Sequence, residues 1–159
     1  MAYAPTLALI ATPIGMVAID GDQDLLSSVR IIPDRSAEQQ GVGRAVLEAA
    51  RQLRAYFAES HFAFDLPLTP AGTKRGQALR DAIIGVPAGE TRSYGELSAL
   101  VASSPRAVGQ ACARNPFPIL VPCHRILTNG GRIGAYSAGA GPAAKSWLLT
   151  HEGMKGSLL

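Results

Sequence analysis

The sequence predicts an α+β protein of two domains, an antiparallel sheet with a helix followed by a mostly helical part. Turn residues separate short, partly β-branched apolar runs, which is typical of an antiparallel meander. Helical spacing of apolar residues comes next, and after residue 73 helix-capping signals replace the β-branched runs. We therefore predict an N-terminal scaffold domain over residues 1–69 and a C-terminal helix-turn-helix domain over residues 70–159.

The N-terminal domain is predicted to hold three strands, a helix and a fourth strand. The first three strands are Thr6–Ala11, Met16–Asp20 and Leu25–Ile32. The apolar spacing then predicts an amphipathic helix over Gly41–Glu59. Alternating apolar residues from Phe62 to Leu68 predict the fourth strand, and prolines and a glycine within residues 67–72 mark a linker.

Capping signals define the helices of the second domain. A helix is predicted over Gln77–Gly85. The run Ser93–Glu96 has the spacing of a capping box that opens a helix to about Val101. Ser104–Pro105 suits the N-cap and first position of a second helix, which ends near Arg114. This pair of helices predicts a helix-turn-helix, with an ordinary helical hairpin as the alternative.

Small residues predominate in the second helix of this pair. They would let the helix backbone approach a surface closely, even a narrow groove of a nucleic acid. Contacts to its phosphates would then supply most of the affinity. Arg106, at the start of the helix, could enter a base stack and fill the space of an extruded base. The small residues are Ala107, Gly109, Ala111 and Ala113.

Charge is distributed unevenly along the chain, whose net charge is +3. Residues 1–69 have a net charge of −3, from five Lys/Arg and eight Asp/Glu. Residues 70–132 have a net charge of +5, from eight Lys/Arg and three Asp/Glu. A basic second part is typical of proteins that bind a polyanion. A basic surface that only keeps the protein in solution is the alternative.

The composition indicates a cytoplasmic protein without a membrane span or a metal. The first residues lack the basic and apolar stretches of a signal peptide, and no apolar run reaches roughly 18 residues. Two cysteines, Cys112 and Cys123, are too few for a disulfide framework and suit a reducing compartment. With three histidines and no CxxC pair, they also give no zinc-ligand pattern, so we expect no metal.

The sequence with the clearest chemistry is the pair Cys123-His124, which follows the uncharged run Phe117–Val121. A thiol at the end of such a run is expected in a partly dry pocket, where it reacts only if something favours the thiolate. An adjacent imidazole, or an arginine such as Arg125, can do so. A buried cysteine beside a structural histidine is the alternative.

Several motifs occur in a fixed order over residues 67–153. They include Gly89-Glu90-Thr91, Ser93-Tyr94-Gly95-Glu96-Leu97, Arg106-Ala107-Val108-Gly109, Asn115-Pro116, Val121-Pro122-Cys123-His124-Arg125, Gly134-Ala135-Tyr136-Ser137 and His151-Glu152-Gly153. In these motifs the chain resembles the O6-alkylguanine-DNA alkyltransferases. The resemblance implies an RNase H-like N-terminal domain and a winged-helix-like C-terminal domain. It also implies a monomer that acts on double-stranded DNA, bound through the minor groove, without a cofactor.

The same resemblance implies the catalytic roles. Cys123 would accept an alkyl group from O6 of guanine, or from O4 of thymine, in one irreversible transfer. His124 would deprotonate the thiol through a water molecule, with Glu152 orienting the imidazole and favouring the imidazolium–thiolate state. Tyr94 would donate a proton to N3 of the leaving guanine.

The binding roles are implied in the same way. The damaged base would be flipped out of the duplex, with Arg106 in its place and the small-residue helix in the minor groove. The residues implied in binding are Arg106, Ala107, Gly109, the tether Asn115, the pocket walls Pro118 and Tyr136, the Ser137 N–H, and the carbonyls of Cys123 and Ile126.

Some positions depart from the family's pattern. Arg75, Gly76 and Arg80 occupy the places of an aromatic residue, a glutamine and a tryptophan, which affects the packing of their helix. The connection between Tyr94 and Arg106 is also shorter than is usual in the family. The difference could change the direction in which the Arg106 side chain points.

Other assignments stay open at the level of sequence. A non-catalytic lesion binder that flags alkylated DNA for other repair proteins, or a cysteine hydrolase, is the alternative function. Within the pocket, we expect Cys112 to be a small apolar filler. For Lys145 a solvated charge is the ordinary expectation.

Overall fold

The computed structural model describes residues 7–154, which form two compact units divided between Thr69 and Pro70. Thr6, the first residue of the first predicted strand, lies outside the described residues. Among the helices of residues 7–154, none is both long and apolar enough to cross a lipid bilayer.

The sheet of the first unit is an antiparallel meander in the order β1-β2-β3, as predicted. Its strands are β1 (Ala8–Thr12), β2 (Gly15–Gly21) and β3 (Leu26–Ile32). Thr12 pairs with Gly15 across the first turn, and the Thr12 hydroxyl donates to the Gly15 carbonyl at 2.7 Å. The middle strand is buried from Gly15 to Ile19 because it has a partner on both sides.

The predicted amphipathic helix is α1 (Arg44–Ala58), which packs against β1 and β2. Val46, Leu53 and Tyr56 are fully buried on its inner face. The helix begins later than predicted because Gly43 has a φ of 103°, in the left-handed region. A Cβ at this position would lie 2.8 Å from the Asp22 carbonyl oxygen, so the close approach requires glycine.

The predicted fourth strand is wrong. Residues 62–68 form no ladder, and in this segment Leu68 makes an isolated bridge with Leu26. The Gln52 side chain of α1 takes both backbone groups of Asp65, accepting from its N–H at 2.9 Å and donating to its carbonyl at 3.0 Å. The alternation of apolar residues reflects packing of their aromatic rings, including one 5.5 Å from the ring of Tyr56, and not a pleated strand.

The second unit is mostly helical. Its elements are α2 (Lys74–Ile84), β4 (Arg92–Ser93), α3 (Tyr94–Leu100), α4 (Pro105–Ala113), a 3₁₀ turn (Cys123–Arg125), β5 (Ile126–Leu127) and α5 (Pro142–His151). Strands β4 and β5 pair in parallel. Helix α2 begins before its predicted start because the Thr73 side chain caps it by accepting from the Gly76 N–H.

Both predicted caps of the helix pair are confirmed. Ser93 accepts from the Glu96 N–H, and the Glu96 carboxylate accepts from the Ser93 N–H, each at 3.0 Å. Ser104 accepts from the Ala107 N–H at 3.1 Å. Because these bonds span three residues each, they fix where α3 and α4 begin.

The turn between α3 and α4 holds Ala102 at φ 51°, in the left-handed region. This conformation costs a residue with a Cβ about 1–2 kcal/mol, and glycine avoids that cost. Glycine also raises the conformational entropy of the unfolded chain, which cancels part of the gain in stability. We expect Ala102→Gly to raise the free energy of unfolding by about 0.5–1 kcal/mol, measured by urea denaturation.

The matched control for this prediction is Ala99→Gly, in the exposed face of α3. There the same exchange should lower the free energy of unfolding by about 1 kcal/mol because the position is helical. Equal losses in both variants would contradict the strain assigned to Ala102.

Candidate active site

Cys123 is positioned by the side chain of Asn115, just after the end of α4. The Asn115 amide donates to the Val121 carbonyl at 2.9 Å and to the Cys123 sulfur at 3.4 Å. Its carbonyl oxygen accepts from the Phe117 N–H at 2.9 Å. Asn115 therefore ties the end of α4 to the turn that carries the thiol.

The run before the cysteine contains a strained residue. Ile119 has a φ of 75°, although a β-branched side chain disfavours the left-handed region. Its neighbours Phe117 and Leu120 are buried, and the Val121 N–H donates to the Phe117 carbonyl at 2.8 Å. This packing holds the bend, which directs the chain from α4 into the 3₁₀ turn.

Cys123 opens into a cavity of about 160 Å³. The cavity is lined by Tyr94, Gly109, Cys112, Ala113, Cys123, Ala135, Tyr136 and Ser137. One pocket thus brings together the Cys123 sulfur, Tyr94 of α3, Gly109 of α4 and the segment Tyr136-Ser137. The sequence motifs that supply them lie far apart along the chain.

Behind the thiol, His124 and Glu152 form a fully buried pair. The imidazole Nε2 lies 2.7 Å from a Glu152 carboxylate oxygen. Arg125 binds the same carboxylate twice, through Nε at 2.8 Å and a terminal nitrogen at 3.0 Å, and it also donates to the Val86 carbonyl at 2.6 Å. The carboxylate is therefore held as an anion that only accepts hydrogen bonds.

The histidine tautomer follows from this geometry. Because the Glu152 carboxylate accepts, Nε2 of His124 carries the proton, and Nδ1 keeps its lone pair. Nδ1 is buried and has no hydrogen-bond partner among the described residues. Burial lowers the pKa of His124 despite Glu152, with Arg125 contributing in the same direction. The resting imidazole is thus neutral, which differs from the imidazolium that the resemblance implies.

The thiol of Cys123 is protonated in the resting site for a related reason. Its interaction with the Cys112 thiol, and then burial, raise its pKa, while Asn115 and Lys145 act in the opposite direction. The resting state is therefore a thiol beside a neutral imidazole. A proton has to leave the sulfur before the site can act as a nucleophile.

Lys145 is fully buried, so the expected solvated charge is wrong. Its Nζ donates to the Ile126 carbonyl at 2.7 Å and reaches the Ala135 carbonyl at 3.4 Å. It lies 5.9 Å from the centre of the Tyr94 ring. Burial lowers its pKa from 10.5 to about 8, and its positive charge lowers the pKa of the pocket thiols.

The two pocket tyrosines keep their hydroxyl protons. Burial raises the pKa of Tyr94 to about 12, and burial also raises the pKa of Tyr136. The Tyr136 hydroxyl is buried without a hydrogen-bond partner among the described residues. Both phenols are therefore proton donors at neutral pH.

A second opening of about 340 Å³ lies at the start of α4. Tyr94 and Gly109 line both openings, and Arg106 lines this one with its side chain exposed. Ala107 is half-buried and lines neither opening. Tyr94 and Gly109 are thus shared by the opening that holds the exposed arginine and the pocket that holds the thiol.

Two residues that were predicted to contact the flipped nucleobase lie outside the lining of the pocket. Pro118 and Ile126 are buried and do not line the cavity around Cys123. The Ile126 carbonyl already accepts from Lys145, and the Cys123 carbonyl accepts from the Ile126 N–H. Each carbonyl keeps one lone pair for a further donor.

Two of the three positions expected to depart from the family's pattern line a separate cavity of about 450 Å³. Gly76 and Arg80 of α2 line it together with Arg114, Asn115 and Cys123. The Arg80 guanidinium lies 5.4 Å from the centre of the Phe117 ring. Cys123 thus lines two cavities, and Asn115 lines one of them.

Lys145 is the site residue that sequence reasoning missed, whereas Cys112 was expected in the pocket only as an apolar filler and Arg125 only as a group that could favour the thiolate. Lys145 and Cys112 carry no local signal because their partners come from distant segments. The adjacency of Arg125 to His124 was the one available hint. Within residues 7–154, no three His, Cys, Asp or Glu side chains come together as metal ligands would.

Comparison with known proteins gives one family. The family profile described as "6-O-methylguanine DNA methyltransferase, DNA binding domain" matches residues 76–154. The methylated-DNA–protein-cysteine methyltransferase of Methanosarcina acetivorans is 37% identical over 156 residues, which covers 92% of this chain and 97% of the relative. The mouse enzyme of the same name is 34% identical over 92% of this chain and 81% of its own length.

A solved structure agrees with these relatives. The crystal structure of Mycobacterium tuberculosis OGT in complex with DNA has a TM-score of 0.79 and 34% identity, and the match covers 92% of both chains. The mixed α+β architecture, with a small antiparallel sheet and five helices, is the one found there. This chain belongs to the methylated-DNA–protein-cysteine methyltransferase family.

Proposed function

We propose that this protein repairs DNA by transferring an alkyl group from O6 of guanine, or from O4 of thymine, to Cys123. The observation that carries the proposal is a pocket lined by both the buried Cys123 thiol and the proton-donating Tyr94, with the buried His124–Glu152 pair beginning at the residue after the cysteine. The names of the relatives, and a relative bound to DNA, support the same activity. Each molecule acts once, because the product is a thioether, from which water does not displace the sulfur at neutral pH.

The reaction begins with the thiol proton. His124 takes it at Nδ1, through a bridging water molecule, and the Glu152 carboxylate stabilises the imidazolium that forms. The thiolate then attacks the alkyl carbon from the side opposite O6. The sulfur–carbon bond forms as the carbon–oxygen bond breaks, and the electron pair stays with guanine.

Proton transfer to the leaving guanine completes the step. Tyr94 donates its hydroxyl proton to N3, and as a phenolate of pKa about 12 it then regains a proton from the imidazolium or from solvent. The net result is that the thiol proton ends on guanine. The Ser137 N–H binds O6, and the carbonyls of Cys123 and Ile126 accept from the exocyclic amine through their free lone pairs. Tyr136 closes the pocket, with Pro118 behind it.

DNA binding uses the face of α4. We infer that its small residues, including Ala107 and Gly109, lie in the minor groove while the target nucleotide flips into the pocket. The exposed Arg106 fills the vacated position in the base stack. Asn115 then transmits a change at the sulfur to the end of α4. The protein acts as a monomer in the compartment that holds the DNA.

The two units have different tasks in this proposal. Residues 70–159, as a winged-helix-like domain, carry DNA binding and chemistry. Residues 1–69, with their RNase H-like arrangement of sheet and helix, serve as the scaffold domain. The acidic balance of the first part and the basic balance of the second fit this division.

The direct test is intact-mass measurement after incubation with a duplex that contains O6-methylguanine. We expect one methyl group per protein, located on Cys123 by peptide mapping, and none in a folded Cys123→Ala variant. Tyr94→Phe should slow the transfer by about 10²-fold or more, since it removes the proton donor. Binding of the damaged duplex without a change in mass would instead indicate a non-catalytic lesion binder.

A further inference from the structure

Tyr94 is the first residue of α3, a helix of seven residues, and Gly95 follows it. A helix this short is not stable on its own, and glycine restricts the backbone less than any other residue. Contacts outside α3 must therefore help to fix the direction of the Tyr94 side chain. The structure shows such a contact on each side of this residue.

Both contacts lead to the segment that follows the cysteine turn. The residue before Tyr94 pairs with Leu127 in the parallel β4–β5 ladder. The residue after it, Gly95, donates its N–H to the Asn129 side-chain oxygen at 3.2 Å. The 3₁₀ turn that carries Cys123 continues directly into β5, and Asn129 lies two residues beyond the end of that strand. The proton donor is thus tied to the chain segment that begins at the nucleophile.

The backbone that carries Asn129 is held in a tight turn. The Gly131 N–H donates to the Thr128 carbonyl at 2.9 Å, and the Thr128 N–H donates to the Arg132 carbonyl at 3.0 Å. The Arg132 N–H donates to the Thr128 hydroxyl at 3.2 Å. The Asn129 side chain therefore projects from a fixed position, although it is exposed.

The approach of Asn129 to α3 depends on the glycine at position 95. A Cβ on Gly95 would lie 3.0 Å from the Asn129 side-chain oxygen, which is tighter than such atoms normally approach. The Gly95 N–H is among the first N–H groups of α3, which have no acceptor inside the helix. Because an N–H only donates, the Asn129 atom that faces it is the oxygen and not the nitrogen. Asn129 also lines the 340 Å³ opening beside Tyr94 and Arg106.

We propose that Asn129 is a positioning residue for Tyr94, holding the phenol in the orientation that donates a proton to the leaving guanine. This role depends on the proposed alkyl transfer, in which Tyr94 is the proton donor. The peptide group between Tyr94 and Gly95 cannot turn freely while its N–H is bonded to Asn129. Without that bond the start of α3 can shift, and a displacement of about 1 Å between reacting groups can slow a reaction by about 10²-fold. Because one exposed hydrogen bond is weak, we expect about a three- to tenfold effect.

The first test is the single-turnover rate of methyl transfer at a saturating concentration of a duplex that contains O6-methylguanine. Asn129→Ala should be about three- to tenfold slower than the unaltered protein. Asn129→Asp should keep most of the rate, because a carboxylate oxygen still accepts the Gly95 N–H, while its charge raises the duplex concentration needed for saturation. The matched control is Arg132→Ala, which leaves the backbone bonds of the same turn intact and should keep the saturated rate. An unchanged rate in Asn129→Ala, or an aspartate variant as slow as the alanine variant, would overturn the proposal.

The second test repeats the alanine exchange in a Tyr94→Phe background. Without the hydroxyl no proton donor remains to be oriented, so adding Asn129→Ala should change the rate by less than about twofold. A purely structural role, or a role in DNA binding alone, would instead give the same loss in both backgrounds. That result would show that Asn129 does not act through Tyr94.

Amide hydrogen exchange tests the contact without any alkyl transfer. In Asn129→Ala the Gly95 amide should exchange at least about fivefold faster, while the amides of α5 keep their rates. Equal exchange of the Gly95 amide in both proteins would overturn the proposal whatever the activity. Absence of methyl transfer by the folded, unaltered protein, with the expected difference in exchange, would refute the proposed function and leave Asn129 as the residue that fixes Tyr94.

Discussion

Replacing Glu152 by alanine is expected to lower the free energy of unfolding of the C-terminal unit by about 3–5 kcal/mol. Glu152 is fully buried and accepts from Arg125 at 2.8 and 3.0 Å. Its other partner, His124, lies 2.7 Å away. The alanine variant would leave a buried guanidinium without a counter-charge, and that charge cannot be neutralised by losing a proton.

Urea denaturation of the full chain measures this loss. Glu152→Gln should lose less, because an amide oxygen still accepts one hydrogen bond. The matched control is Glu90→Ala, which removes an exposed ion pair with Arg92 in the same unit and should change stability little. Similar losses in Glu152→Ala and Glu90→Ala would contradict the structural role of the buried carboxylate.

The Glu152 variants also separate stability from catalysis. Glu152→Gln keeps an acceptor for Nε2 of His124 but no longer stabilises an imidazolium. If the imidazole takes the thiol proton, this variant should transfer alkyl groups more slowly while still folding. The pairing of His124 with Glu152 spans 28 residues and was implied by the family resemblance, since no local spacing predicts it.

Local signals in the sequence account for most of the fold. The caps at Ser93 and Ser104 are predictable because donor and acceptor lie three residues apart. The meander is predictable for the same reason, since its turns are short. The fourth strand fails because the Gln52 side chain, from α1, replaces a neighbouring strand for the backbone of Asp65. Alternation of apolar residues does not reveal such a partner.

The electrostatics of the site could not be predicted in the same way. Nothing near Lys145 in the sequence indicates burial, because its acceptors are the carbonyls of Ile126 in β5 and of Ala135, which lie 19 and 10 residues away. Arg125 donates to the Glu152 carboxylate, which was expected to stabilise the protonated form of His124. Cys112 and Cys123 line the same pocket although 10 residues separate them, and no local spacing predicts it.

Lys145→Met should reduce the rate of alkyl transfer at neutral pH by about tenfold or more, since each unit of thiol pKa is worth a factor of ten in thiolate. The ammonium lowers the pKa of both pocket thiols and lies near the Tyr94 ring. Methionine has a similar length and keeps the apolar stem packed, but it cannot stabilise the thiolate or donate to the Ile126 carbonyl. Single-turnover kinetics measures the rate, with the exposed Lys74→Met as the control.

The same variant tests the pKa of Lys145 through stability. In the folded protein its pKa is about 8, and its ordinary value is 10.5. Between these values the unfolded chain holds a proton that the folded chain has lost, so this group makes stability rise with pH across that window. Below pH 8, Lys145 is charged in both the folded and the unfolded protein, and burial of that charge destabilises the folded protein. The difference in unfolding free energy between the unaltered protein and Lys145→Met should therefore shift in favour of the unaltered protein as pH rises from 8 toward 10.5. Parallel pH profiles of the two proteins would contradict a buried, charged Lys145.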